Sequence, residues 1–176
     1  ISNWSPFSSK SKCEIRGPCV MLSKESFALF YCYCGISGDM AVGAFLDLGM
    51  DYAYLANELG KIKTVKPFKI SQKKIKRAGF VGTKFDVLVD IEHHHHNHSH
   101  SHSHDHTSYL QIKEMIKASS LNSNVKELSL KIFYSLAVAE AHVHGAEIEN
   151  VHFHEVGAVD SIVDIIGVAI CLDFFH

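Results

Sequence analysis

Two stretches of this 176-residue chain carry enough ligand-type side chains to do chemistry with a metal ion. In the first, His93, His94, His95, His96, His98, His100, His102, His104 and His106 place nine imidazoles within 14 residues. At that density several imidazoles reach one divalent ion from an unconstrained backbone. An affinity tag is the bland alternative, but tags sit at termini and are uninterrupted. This tract is internal, is punctuated by Asn97, Ser99, Ser101, Ser103 and Asp105, and joins two patterned segments. An inert linker would need only Gly and Ser. Loose imidazole clusters follow the general divalent order, Cu(II) first with Ni(II) and Zn(II) behind, so the tract concentrates metal without selecting it. Loading or buffering suits it better than catalysis.

The second stretch, VHFHEV at Val151 to Val156, alternates. An extended backbone there puts His152 and His154 on one face and Phe153 in the core. Glu155 adds an oxygen donor. In the helix predicted after Gly157, Asp160, Ser161, Asp164, Gly167 or Val168, and Cys171 form one stripe. Carboxylates at i and i+4 repel each other in an apolar setting unless a cation or hydrogen-bond donors stand between them. The alternative is that Asp160 caps the helix and Asp164 is solvated. We take His152, His154, Glu155, Asp160 and Asp164 as the candidate reactive metal or substrate site, separate from the tract. Upstream, Glu140 and His144 share a helix face while His142 points elsewhere.

A third feature, CYCGISGDM, leads from a predicted strand into a helix, where backbone N–H groups and the helix dipole favour an anion such as phosphate. Gly35, Ser37, Gly38 and Asp39 are its candidate binding residues, with Gly38 expected at a positive φ or in close approach to phosphate. It is neither a P-loop nor a dinucleotide fingerprint. A tight turn with Ser37 or Asp39 as helix cap explains the same residues. Cys32 and Cys34, alternating on the strand, are candidate soft ligands or ordinary buried thiols.

The elements that must position these groups follow from periodicity. Phe27 to Tyr33 reads as a buried strand. Helices are predicted over Asp39 to Leu48, stopped by Gly49, and over Tyr52 to Leu59, stopped by Gly60. Phe68, Ile70 and Ile75 mark one strand and Phe85, Val87, Val89 and Ile91 another, a hairpin joined through Ala78 to Thr83. Ser108 and Gln111 form a capping box. A longer helix starts near Asn124, with Val125, Leu128, Ile132, Leu136, Ala139 and Val143 apolar and Gly145 closing it. The expected fold is α+β: a small mixed or antiparallel sheet of about three strands packed with helices, with a long His-rich loop.

Composition sets the outer limits. The chain is 47% apolar, enough for one domain with a real core. Its formal charge of −2 gives no general pull toward nucleic acid or anionic membrane. Five Cys, an odd count, favour a reducing, cytoplasmic setting. Residues 1–24 read as a disordered or non-native extension, 25–92 as a strand, helix and hairpin part, 93–107 as the His-rich loop, and 108–176 as a helical part. Residues 25–176 read as one domain truncated at its C-terminal end.

GISGDM at Gly35 to Met40, GTK at Gly82 to Lys84, the internal His tract and above all VHGAEIENVHFHEVGAVDSIVDIIGVAICLD from Val143 to Asp173 together resemble the nickel-pincer-cofactor nickel insertion proteins. The resemblance runs from Phe27 to Phe175 in the same order, with HFHEVGAVDSIVD its most specific element. It implies an enzyme, a lyase-type nickel cyclometallase, that inserts nickel into pyridinium-3,5-bisthiocarboxylic acid mononucleotide for lactate racemase, with CTP hydrolysis and Mn or Mg. In that family CTP binding is associated with a C-terminal region, and the CTP site is expected to be absent from this chain. Implied partners are the mononucleotide precursor, the missing C-terminal region, and the sulfur-insertion or racemase proteins. The family usually has Asp where Tyr31 stands and a small residue where Cys34 stands. A non-catalytic nickel storage or delivery protein is the competing expectation, needing the tract but neither the Gly-rich turn nor Asp160 and Asp164.

Overall fold

A computed structural model of the chain describes residues 29–33, 35–89, 107–153 and 156–176. From Tyr31 onward these residues belong to one compact unit. The extension at 1–24, the tract at 93–106, Cys34, His154 and Glu155 lie outside the described residues.

Two helices come first, α1 (Gly38–Asp47) and α2 (Tyr52–Leu59), followed by strands β1 (Phe68–Arg77) and β2 (Phe80–Val89). After the tract come α3 (Tyr109–Ala118), α4 (Ser123–His144), a 3-10 turn at Ile148–Asn150 and α5 (Val159–Phe175). The α+β class is as expected. Among the described residues the sheet has two antiparallel strands rather than about three. The missing strand is the one expected to end at Tyr33: residues 29–33 form no ladder, and Tyr31 and Tyr33 are exposed. Apolar character alone does not make a strand, because its backbone needs a partner edge.

The hairpin is tighter than the sequence suggests. Phe80 pairs with Arg77, so the turn is only Ala78 and Gly79, both at positive φ (49° and 88°). Two positive φ values at the centre match the right-handed twist of the ribbon. Gly82 to Lys84 therefore lie inside β2 rather than before it.

Local signals set the later helices. The Ser108 capping box forms in full, with Gln111 N–H donating to Ser108 Oγ (3.2 Å) and Ser108 N–H donating to Gln111 Oε1 (2.8 Å). Asn122 caps α4 by accepting from the Val125 N–H (2.9 Å), and Gly145 ends that helix at φ 61°. The buried face of α4 is rotated from the expected one. It runs through Val125, Ser129, Phe133, Ala137 and Ala141, leaving Ala139 and Val143 exposed. Phe133 decides this, because its ring is fully buried 6.3 Å from that of Phe153. Burying a Phe side chain contributes about 1.5–3 kcal/mol, more than an exposed Val143 forfeits.

Helix α5 is the central element, packing against α1, α2, α4 and β2. Its Ile162, Val163, Ile166, Ala169, Ile170 and Cys171 are all buried. Burial pushes the Cys171 thiol up to about 12, so it behaves as a small apolar core group.

Candidate functional site: the α1–α5 junction

The Gly-rich turn and the acidic helix, far apart in sequence, meet in space. Gly38 contacts Asp164, Val42 lies against Gly167, and the Phe45 and Phe175 rings stack 5.8 Å apart. Residue numbers rise in the same direction along both helices, so their N-terminal ends sit together. A Cβ on Gly38 would lie 2.5 Å from Asp164 Cβ, so the glycine is required by this packing. The positive φ expected at Gly38 occurs instead at Gly35 (84°), whose N–H donates to the Cys32 carbonyl (3.1 Å) and closes a turn ahead of α1.

Asp39 and Asp160 lie near enough to Asp164 for their charges to act on it. Asp164 receives a hydrogen bond from the Asp39 backbone N–H, yet its Oδ1 is buried with no partner. Burial, the Asp39 charge and the Asp160 charge together push its carboxyl up to about 7, against the partial relief of that single N–H. Asp39 also accepts from Ser37 Oγ, and Asp160 Oδ1 accepts from the Ser161 N–H (2.8 Å). Neither α1 nor α5 carries a Lys or Arg. The junction has too little positive charge for the acids it holds. A proton or a divalent cation would correct that.

The other half of the expected site is stitched to the end of the tract. Ser108 and His152 form an antiparallel bridge, and Tyr109 N–H donates to the Val151 carbonyl (3.0 Å). Thr107, the residue after His106, donates through Oγ1 to the Gly157 carbonyl (2.8 Å), and its own carbonyl accepts from Phe153 N–H (3.4 Å). A Cβ on Gly157 would crowd Thr107 N and O, both at 3.1 Å, and Phe153 O at 2.8 Å. The predicted alternation holds where it is visible: Phe153 is fully buried and His152 exposed. Sequence reading missed this stitching, and no local pattern announces it.

Thus Gly38 and Asp39 meet Asp164, Asp160 is near enough for its charge to act on Asp164, Gly35 and Ser37 precede them in the turn, and His152 sits on the segment paired with Ser108. Among the described residues no three His, Cys, Asp or Glu side chains are close enough to hold a metal ion. His144 pairs with Glu140 (3.2 Å) as its helical spacing predicts. Cys32 is exposed and not on a strand. No helix among the described residues is long and apolar enough to cross a membrane.

The family described as nickel insertion protein matches residues 28–176, and the chain belongs to that family. Several relatives carry the name pyridinium-3,5-bisthiocarboxylic acid mononucleotide nickel insertion protein. The one from Clostridium acetobutylicum is 47% identical over 169 residues, covering 83% of this chain and 40% of the relative. Those from Geobacillus kaustophilus and Akkermansia muciniphila are 48% and 47% identical, covering 82% and 85% of this chain and 35% and 36% of theirs. The chain therefore spans well under half the length of these curated relatives. No solved structure matches it.

Proposed function

We propose that this chain forms the nickel-handling part of an enzyme that inserts nickel into pyridinium-3,5-bisthiocarboxylic acid mononucleotide, making the nickel-pincer cofactor of lactate racemase. The observation that carries this reading is the stitching of Thr107 and Ser108 to the 151–157 segment. It ties the end of the histidine tract to the stretch holding His152, His154 and Glu155. Nickel gathered loosely by His93 to His106 is then passed to a second, separate set of donors. Fixed elements are needed to direct a metal's chemistry, and His152, His154, Glu155, Asp160 and Asp164 supply imidazole and carboxylate ligands suited to Ni(II).

The Gly35–Asp39 turn is assigned to the phosphate of the mononucleotide. Because Asp164 takes the Asp39 N–H, an anion is welcome there only once Asp164 is protonated or cation-bound. Nickel and substrate would therefore bind cooperatively. The CTP step, with its Mn or Mg, does not fit this junction: a triphosphate would face three carboxylates with no Lys or Arg on α1 or α5. We assign that step to the part of the relatives' length that this chain does not cover. Sulfur-insertion and racemase proteins of the same route are the expected partners, in the cytoplasm.

The test is conversion of the substrate to nickel cofactor by a full-length protein containing this sequence. Asp164→Asn or His154→Ala should abolish conversion while leaving most bulk Ni(II) uptake intact. Replacing the nine tract histidines with Ser should remove most Ni(II) stoichiometry with little change in Tm. If Asp164→Asn and His154→Ala both turn over normally, these residues are structural, and storage or delivery of nickel is the better reading.

A further inference from the structure

Tyr31 and Tyr33 are large rings left in water, 73% and 89% exposed, immediately before the Gly35 turn. Their centroids lie 6.0 Å apart with the ring planes only 22° from parallel. Folding offers no reason for the arrangement, since neither ring joins the core. Two near-parallel aromatic faces, open on their outer sides, are a stacking surface. The face of a tyrosine ring is electron-rich, so such a surface favours a flat ring that carries positive charge.

The surroundings add to that preference. The turn closed by Gly35 N–H and the Cys32 carbonyl sets Tyr33 ahead of Ser37, Gly38 and Asp39, and the chain from Gly35 to Met50 contains two acids, Asp39 and Asp47, and no Lys or Arg. Nothing nearby on α1 would repel a cation. From Tyr33 to Gly38 the chain spans at most about 18 Å when fully extended, and the turn closed at Gly35 shortens that toward the length of a ring joined through a sugar to a phosphate.

We propose that Tyr31 and Tyr33 form the platform on which the N-ribosylated pyridinium ring of the substrate stacks, while its phosphate lies toward the start of α1. This rests on the functional reading above and deepens it. The platform selects for ring charge as well as ring shape. Neither tyrosine is a catalytic residue; both are positioning residues that hold the ring.

The probe is nicotinic acid mononucleotide, which has an N-ribosylated pyridinium ring without sulfur or nickel, compared with its 1,4-dihydro form, whose ring is neutral. Calorimetric titration of the chain should show the pyridinium form binding about five-fold more tightly. The Tyr31→Leu/Tyr33→Leu double variant should lose about that factor and its preference between the two forms. Tyr31→Phe/Tyr33→Phe, which keeps both ring faces, should bind like the unaltered chain. Circular dichroism and Tm should not move in either variant, because both side chains are exposed. If the Leu variant binds the pyridinium form as well as the unaltered chain does, the platform is wrong and the nickel-insertion reading stands. If the unaltered chain binds neither form, both fall.

Discussion

Helix α1 meets its neighbours through a glycine and an aspartate at each end, and the two ends are treated oppositely. Toward its C-terminal end, Gly43 lets the helix lie on β2, where a Cβ would overlap the Thr83 carbonyl oxygen. Asp47 there accepts from Thr83 N–H (2.8 Å) and Thr83 Oγ1 (2.7 Å) and pairs with Lys74. Burial would raise its carboxyl, but Lys74 and Thr83 outweigh that and hold it below the usual range. At the other end Gly38 meets Asp164, which has one donor, two acidic neighbours and an orphaned oxygen. A carboxylate with all its partners is fastening the fold. One held without them needs a proton or a cation, and that difference is why we propose the second end as the working one.

The glycines are where a single added methyl group should have the largest effect. Gly43→Ala forces two backbones apart and should cost about 3 kcal/mol or prevent folding, measured by urea denaturation. Gly38→Ala should cost less, about 1–2 kcal/mol, because a helix end can shift. That cost should persist in an Asp164→Ala background, since the clash is with Cβ, and should shrink with Asp164→Gly. A Gly38→Ala cost that vanishes with Asp164→Ala would show that the carboxylate, not the backbone approach, sets the distance.

A finer test uses pH. The folded-state value for Asp164 is raised from 3.8 to about 7, so the folded chain holds a proton that the unfolded chain releases. Its ionisation therefore costs the fold nothing below about pH 4, and the penalty grows until pH passes about 7. Asp164→Asn should raise stability at pH 8 relative to pH 4 by about 1–3 kcal/mol, less than the full shift implies because the side chain is only partly buried and solvent screens it. Asp47 has the opposite sign: its contribution is present above its ordinary value of 3.8 and is lost as pH falls through the lower folded value. Equal pH profiles for the unaltered chain and Asp164→Asn would mean that Asp164 is better hydrated than its buried Oδ1 implies.

Local chemistry was readable in advance wherever a few neighbouring residues decide the outcome. The Ser108 capping box, the Gly145 stop, the bounds of α2, the core position of Phe153 and the shared stripe of Asp160 and Asp164 all follow from spacing. Decisions made by distant partners were not readable. The face of α4 was set by Phe133 meeting Phe153, the role of Gly38 by Asp164, and that of Thr83 by Asp47. The expected strand ending at Tyr33 failed for the same reason, since strand formation depends on a neighbour and not on apolar content. The candidate site was legible as two lists of residues, but their meeting at the parallel ends of α1 and α5 was not.

The proposed function requires nickel to be held at His152, His154, Glu155, Asp160 and Asp164 apart from the histidine tract. The most direct measurement is equilibrium dialysis of Ni(II) against the chain with all nine tract histidines replaced by Ser. About one Ni(II) per chain should remain bound, and it should be lost when His154→Ala or Asp164→Asn is added to that background. If no Ni(II) remains once the tract is gone, or if the retained ion survives both added substitutions, the tract is the metal site and the α1–α5 junction is not.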